Sequence, residues 1–301
     1  MLTEAHPTRA VRPLAIDARK SLSRLCSGLS SFEHFLAKHW ASKPVTILFS
    51  QGTPVHDKTN HDHWTTNNLL RSLEADDFAL IKPNLQRWSA KIGTVIYEPG
   101  DDVRFAYFPC GPSLISYTLM MKDGRDVETG LVGREGAAGG IVSNGHLPAY
   151  ARALVQAGGS FLRIETQALD EAKSRSSNIR NLFARYADCM VAQIFQSVAC
   201  NAVHTIEQRT ARWILASVDR TGGGDINMTQ DELASMLGVG RSYVNRILKS
   251  LQNDGVVQTR RGGLIVRNVQ ALQNIACECT DAIRRHFEEV LEGVYPNGRN
   301  E

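Results

Sequence analysis

Residues 228–251 read MTQDELASMLGVGRSYVNRILKSL, and their polar side chains fall where a helix can present them together. Arg241, Ser242, Tyr243, Asn245, Arg246 and Lys249 share one face of a predicted helix, while Val244, Ile247, Leu248 and Leu251 share the other. Guanidinium, amide and ammonium donors along one stripe suit hydrogen bonding to guanine O6 and N7 and to phosphate oxygens, the chemistry of a helix lying in a DNA major groove. A hairpin buried in a core would not carry two arginines and a lysine on one stripe. The preceding helix starts at a capping-box pattern, Thr229 with Glu232, and has Leu233, Met236 and Leu237 as its apolar face; Gly238-Val239-Gly240 makes the turn. Beyond the second helix, residues 256–259 and 264–266 read as short strands joined by Arg260-Arg261-Gly262-Gly263. That is a wing whose two arginines are expected to grip DNA backbone.

This segment resembles the winged helix-turn-helix of the Crp/Fnr family of bacterial transcription regulators, most closely over residues 238–249. In that family an arginine opens the recognition helix and a second lies five residues later, places held here by Arg241 and Arg246. The acidic residue that often follows the first arginine is Ser242 here. Its loss removes an acceptor for a cytosine amino group and leaves the operator sequence open.

The elements that must position this helix lie upstream. Residues 64–85 are predicted to form two short helices with Asp76-Asp77 between them, and residues 88–97, 105–109, 113–121, 127–132, 151–155 and 160–164 read as strands. Turn residues such as Glu98-Pro99-Gly100-Asp101 separate them, so a small double-sheet or barrel domain is predicted. The resemblance implies the cyclic-nucleotide-binding-like β-roll, with the glycine-rich residues 133–140 at the place of the family's phosphate-binding cassette. Such a loop opening a short helix can hold an anion on its backbone N–H groups. The candidate effector residues are Glu135, Gly136, Gly139, Gly140 and Arg152, the last with a second reading as a strand residue paired to an acid. Where the family's cyclic-nucleotide binders carry a ribose-binding glutamate and an Arg-Ser or Arg-Thr pair, this chain has Gly140 and Leu147-Pro148. A cyclic nucleotide is therefore disfavoured, and another small effector, or none, is expected.

Residues 178–203 read as one long helix with apolar residues on two faces, which needs two packing partners. The resemblance implies that one partner is the same helix of a second subunit, with Leu182, Tyr186, Met190 and Ile194 as the dimer-helix residues. A helix follows at 206–218, and a further C-terminal helix at 269–292 is expected to pack through Leu272, Ile275, Ile283 and Phe287. The predicted class is α+β: an N-terminal extension (1–63), a double-sheet β-roll (64–168), a dimerisation helix (169–203), and a winged helix-turn-helix domain with its extra helix (204–301).

Composition bounds the rest. A chain of 301 residues, 43% apolar and 22% charged, has length for two folded domains, and no apolar run approaches a membrane span. The first thirty residues lack a signal-peptide pattern, so a cytoplasmic address is expected. Net charge is only +3, but residues 205–268 hold nine Arg or Lys against six Asp or Glu, with the basic ones gathered on the recognition helix and the wing. The six cysteines (26, 110, 189, 200, 277 and 279) form no disulfide framework. Cys277 and Cys279, one residue apart on a predicted helix, point in different directions, so no shared metal is expected. The resemblance places iron-sulfur cysteines near the N-terminus, where only Cys26 stands, and His56, His61 and His63 read as a solvated polar tract. No G-x-S-x-G, H-E-x-x-H or P-loop lysine occurs, so the chain reads as a regulator rather than an enzyme acting through Glu135 and the glycine-rich loop. The expected partners are double-stranded DNA with an inverted repeat, a second copy of the chain and RNA polymerase; a roll serving only protein contacts is the competing reading.

Overall fold

The computed structural model describes residues 66–124, 126–143 and 145–296, all within one compact unit that begins at His56. The expected extension, with Cys26, His56, His61 and His63, lies outside the described residues.

Two short helices, α1 (Asn68–Arg71) and α2 (Ala75–Ile81), open the described chain. Asn67 caps α1 by accepting from the Leu70 N–H at 3.0 Å, and its amide donates to the carbonyls of Pro109 and Gly136. Asp76 and Asp77, expected between the helices, stand instead in the first turn of α2, where the helix dipole favours acids. Asp77 is also held by Ser176 and Asn178, at 2.6 and 3.1 Å.

Seven strands follow: β1 (Gln86–Ala90), β2 (Val95–Tyr97), β3 (Phe105–Pro109), β4 (Leu114–Met120), β5 (Asp126–Val132), β6 (Arg152–Ala157) and β7 (Gly159–Glu165). They make two antiparallel sheets, β1-β7-β3 and β2-β6-β4-β5. The single strand read over 88–97 is thus two strands in different sheets. The chain turns between them at Gly93, whose φ of 80° suits a residue without a Cβ. Tyr97, Tyr107, Ile115, Val132, Val155 and Phe161 form a core of the roll, with Trp88 edge-on to Tyr107 at 5.0 Å.

Next come α3 (Thr166–Arg175) and the 27-residue α4 (Ser177–Val203). One face of α4 buries Ile179, Phe183, Tyr186 and Cys189, while Val191, Ile194, Phe195 and Val198 stand exposed on another, Phe195 at 69%. Two apolar faces are present, but the four expected dimer-helix residues do not share the open one. Tyr186 is fully buried, Leu182 and Met190 are half-buried against the cores, and only Ile194 of the four reaches the open face. A row taken every fourth residue winds roughly 40° per step around a helix of 3.6 residues per turn, so it passes from the buried face to the exposed one.

The capping box of Thr205 and Gln208 starts α5 (Ile206–Thr221), and left-handed Gly222 ends it. The winged domain comprises β8 (Asp225–Ile226), α6 (Gln230–Leu237), α7 (Arg241–Asn253), β9 (Val257–Arg260) and β10 (Gly263–Val266), with sheet order β8-β10-β9. The expected single C-terminal helix is two, α8 (Val269–Ile275) and α9 (Cys279–Val290), because Ala276 leaves the helical region at ψ 153°. Ile283, Phe287, Leu291, Val294 and Tyr295 join Phe183 and Tyr186 in one core. The last described turns therefore pack back on α4 and the roll.

These parts meet at Arg220, 2% exposed at the end of α5. Its Nε lies 2.8 Å from Glu135 of the roll, its Nη2 donates to Gln193 of α4 at 2.7 Å, and its Nη1 donates to the Tyr295 hydroxyl at 3.1 Å. Burial alone would lower the Arg220 pKa, but the charge of Glu135 with Tyr295 outweighs it, and the cation is held above its ordinary range. Removing one member of such a pair strands the other charge in the interior. Glu135→Leu is expected to cost about 3–5 kcal/mol in urea unfolding, and Glu135→Leu with Arg220→Met less than that single change. A single-variant cost within experimental error would contradict the pairing.

Candidate nucleic-acid interface

The sequence pattern that starts the helix-turn-helix is realised atom by atom. Thr229 Oγ1 accepts from the Glu232 N–H at 3.2 Å, and a Glu232 carboxylate oxygen accepts from the Thr229 N–H at 2.7 Å. Gly238, at φ 70°, stops α6, and α7 starts from Gly240 with no side chain capping it. Val244, Ile247, Leu248 and Leu251 face inward and are buried with Leu233, Met236 and Leu237.

On the outer face Arg241, Ser242, Tyr243, Arg246 and Lys249 are exposed, and Asn245 is half-buried. Arg246 lies over the Tyr243 ring at 4.8 Å, so stacking restricts the guanidinium before it meets anything. Arg241 pairs with Asp231 at 3.0 Å, both side chains being mostly exposed, and such a pair is easily exchanged for a phosphate. The wing differs from expectation at one residue. Arg260 is drawn back onto Asp225, with Nε at 2.9 Å, and onto Asn227, whereas Arg261 is exposed at the tip. The reason is the β8-β10-β9 order, which brings the acid of β8 alongside the wing.

The glycine-rich residues 133–140 do not form an anion site. No helix opens there, and four of the N–H groups are taken: Gly133 by Glu135, Gly136 by the Gly133 carbonyl, Ala138 by the Tyr107 carbonyl and Gly139 by the Tyr117 hydroxyl. Glu135, 1% exposed, is committed to Arg220. Gly136 is a glycine because a Cβ would meet the Tyr186 ring at 2.0–2.5 Å, and at Gly139 it would meet the Phe105 carbonyl at 2.3 Å; at Gly140 it would press on Thr166 at 3.0 Å. Arg152 bridges Glu98 and Asp126, each at 2.9 Å, which is its strand reading. Of the five expected effector residues, only Gly139 borders the cavity that the roll does contain.

That cavity, of about 480 Å3, lies between the roll and α4. Tyr97, Tyr117, Leu119, Leu147, Met190 and Ile194 are among its lining, and none of its lining residues is charged. The Tyr117 hydroxyl accepts from Gly139 N–H at 3.1 Å, the Tyr97 hydroxyl donates to the Phe105 carbonyl, and the Thr129 hydroxyl to the Tyr117 carbonyl at 3.2 Å. Burial pushes the Tyr117 hydroxyl up to about 12, so it stays neutral. The sequence pattern missed this site because its walls come from separate stretches between Tyr97 and Ile194, none with polar spacing of its own.

The roll also touches the winged domain directly. Trp213 of α5 donates its indole N–H to both carboxylate oxygens of Glu128 on β5 at 3.0 Å, and Ser235 of α6 exchanges hydrogen bonds with the Asp126 backbone at 3.0 and 3.2 Å. Elsewhere, Cys277 and Cys279 are not on one helix as expected. The break between α8 and α9 turns both thiols toward Cys200 and His204 at the end of α4, and the four ligand atoms lie within 4.8 Å of one another. The expectation that these thiols diverge is overturned by that break.

Residues 208–275 match the Crp-like helix-turn-helix domain. Similar solved structures include a protein assigned to the crp/fnr family of transcriptional regulators from Eubacterium rectale, 16% identical with TM-score 0.52, covering 69% of this chain and 96% of that one. The c-di-GMP responsive global regulator CLP of Xanthomonas campestris is 17% identical with TM-score 0.52, covering 64% and 99%. FixK2 of Bradyrhizobium japonicum is 18% identical with TM-score 0.50, covering 64% and 98%. No curated protein matches the chain in sequence. Residues 208–275 are thus a Crp-like helix-turn-helix domain, and the described chain has the Crp/Fnr fold of β-roll, long helix and winged domain. These matches are to regulators and not to enzymes, and no helix among the described residues is long and apolar enough to cross a membrane.

The joint between roll and winged domain carries a pH dependence. Burial pushes the Glu128 carboxyl up from 4.5 to about 7, against the opposing effects of Trp213, Arg212 and Arg220. The folded state therefore holds this proton more tightly than the unfolded chain. The associated stability is full below 4.5 and is lost as pH rises through about 7. Glu128→Gln is expected to gain stability relative to the parent as pH rises across that window, followed by Trp213 fluorescence in denaturant. A parent-to-variant difference independent of pH would contradict it.

Proposed function

We propose that this chain is a sequence-specific DNA-binding transcription regulator that acts as a homodimer on an inverted-repeat operator in the cytoplasm. The observation that carries the reading is the outer face of α7, where exposed Arg241, Ser242, Tyr243, Arg246 and Lys249 stand on a helix whose inner face is fully packed. Arg241 and Arg246 contact base edges or phosphate, Ser242 and Asn245 tune the sequence, and Tyr243 orients Arg246. The uncapped start of α7 offers its first N–H groups to a phosphate. Arg261 contacts the backbone, and Arg260 shapes the wing.

The dimer reading rests on the exposed row Val191, Ile194, Phe195 and Val198, spaced as one stripe of a helix pair. Two recognition helices related by a two-fold axis would engage half-sites about 34 Å apart. In this reading residues 64–168 sense, 169–203 pair the subunits and the chain from 204 binds DNA, with RNA polymerase as the machinery addressed. The uncharged lining of the cavity beside α4 supports an effector that is small, neutral and largely apolar, and speaks against a cyclic nucleotide. A roll serving only protein contacts would leave operator affinity unchanged by any such ligand.

Selection of bound sequences from a random DNA pool by the full chain should enrich an inverted repeat, and enrichment of no sequence by folded protein would refute the reading. On the enriched operator, Arg246→Ala should cost about 1–3 kcal/mol and relax specificity at one base pair. Arg261→Ala should weaken all sequences alike and lower the salt slope by about 1, with a smaller effect for Arg260→Ala. Phe195→Glu should yield monomers by light scattering and weaken operator binding at least tenfold; a dimer unaffected by it would place the seam elsewhere.

A further inference from the structure

The thiols and imidazole gathered at the end of α4 have no part in the reading above. Cys200 lies in the last turn of α4, and His204 follows one turn later on the same side. Cys277 sits in the break between α8 and α9, and Cys279 is the first residue of α9. All three thiols are buried, and the His204 side chain is 15% exposed. Cys200 and Cys277 Sγ are 3.6 Å apart, and Cys279 Sγ is 3.5 Å from His204 Nδ1.

We propose that Cys200, His204, Cys277 and Cys279 form a closed tetrahedral Zn2+ site. Three thiolates and an imidazole are a ligand set that zinc favours, and four protein ligands leave no open position, as in structural sites. A zinc-to-sulfur distance of about 2.3 Å puts tetrahedral ligand atoms about 3.8 Å apart. The 3.5 and 3.6 Å separations already approach that spacing.

The surroundings point the same way. His204 turns Nδ1 to the thiols, and its Nε2 lies 3.3 Å from a Glu278 carboxylate oxygen, the outer partner that fixes the tautomer and orientation of a zinc-bound imidazole. Gln196 donates its amide N–H to Cys279 Sγ at 3.1 Å, a contact suited to a thiolate. Cys110 and Cys189, by contrast, are buried and belong to no such ligand group among the described residues. Binding exchanges protons for metal: three thiols release three protons to solvent, the neutral imidazole releases none, and no electron moves. The bound ion ties the end of α4, where α5 begins, to the break between α8 and α9.

The test is elemental analysis of the full chain isolated under reducing, chelator-free conditions. About one zinc per chain is expected, falling at least tenfold in Cys200→Ser, Cys277→Ser and Cys279→Ser, with His204→Cys retaining it. A serine variant that fails to fold is replaced by two measurements on the parent chain. Cobalt titration should give the intense visible absorption of a tetrahedral thiolate complex, saturating at one equivalent and displaced by zinc. Zinc should also protect Cys200, Cys277 and Cys279 from alkylation, read peptide by peptide. Iron in place of zinc, zinc retained in folded serine variants, a Cys200–Cys277 disulfide under those conditions, or cobalt spectra lacking thiolate character would each overturn the assignment.

Discussion

A charge taken out of water must be met by another, and in this molecule that requirement falls on Arg220. The residue lies at the end of the helix that leads into the winged domain. Its partners are a carboxylate from the roll, an amide from the long helix and a hydroxyl from the last described turn of the chain. Few geometries satisfy all of them at once. The glycine-rich loop follows from this, because its sharp path and bare Cα atoms bring Glu135 to the guanidinium and make room for Tyr186. A loop spent on that purpose has its Gly133, Gly136, Ala138 and Gly139 N–H groups already committed.

The long helix then carries two duties on two faces. Its inner face closes the core with the roll and the C-terminal helix, and its outer row of Val191, Phe195 and Val198 stays in water at a free-energy cost that a second copy can recover. Half-buried Met190, and Ile194 of the open face, both line the cavity. A ligand in the cavity therefore touches the helix proposed to pair the subunits. Strand β5 offers a second route, since Asp126 and Glu128 of the roll hold Ser235 and Trp213 of the helix-turn-helix domain. Both routes are chains of direct contacts between elements; the free energy they transmit is a separate quantity.

What was legible in the sequence was local. Thr229 with Glu232, the glycine turn and the two-faced pattern of residues 241–251 are short-range signals, and each appears in the structure where the sequence put it. The strands were legible by alternation, except where one run crosses from sheet to sheet at Gly93, which leaves no mark in hydropathy. The rest depends on residues far apart in the chain. Arg220 and Glu135 are 85 positions apart, and Cys200 and Cys277 are 77 apart. Glycines that look like a phosphate cradle are bare because aromatic and carbonyl atoms press on them, a fact held by the neighbours and not by the loop. Pairing of Arg260 with Asp225 likewise follows from strand order, which the wing sequence does not contain.

In the proposed complex, two copies of this chain present two α7 helices to one face of a duplex. Hydroxyl-radical footprinting on an enriched operator, combined with the mass of the complex in solution, tests it most directly. The expected result is two chains per duplex and two protected patches related by a dyad and centred about one helical turn apart. One chain bound to a single protected patch, or protection without a dyad, would contradict it.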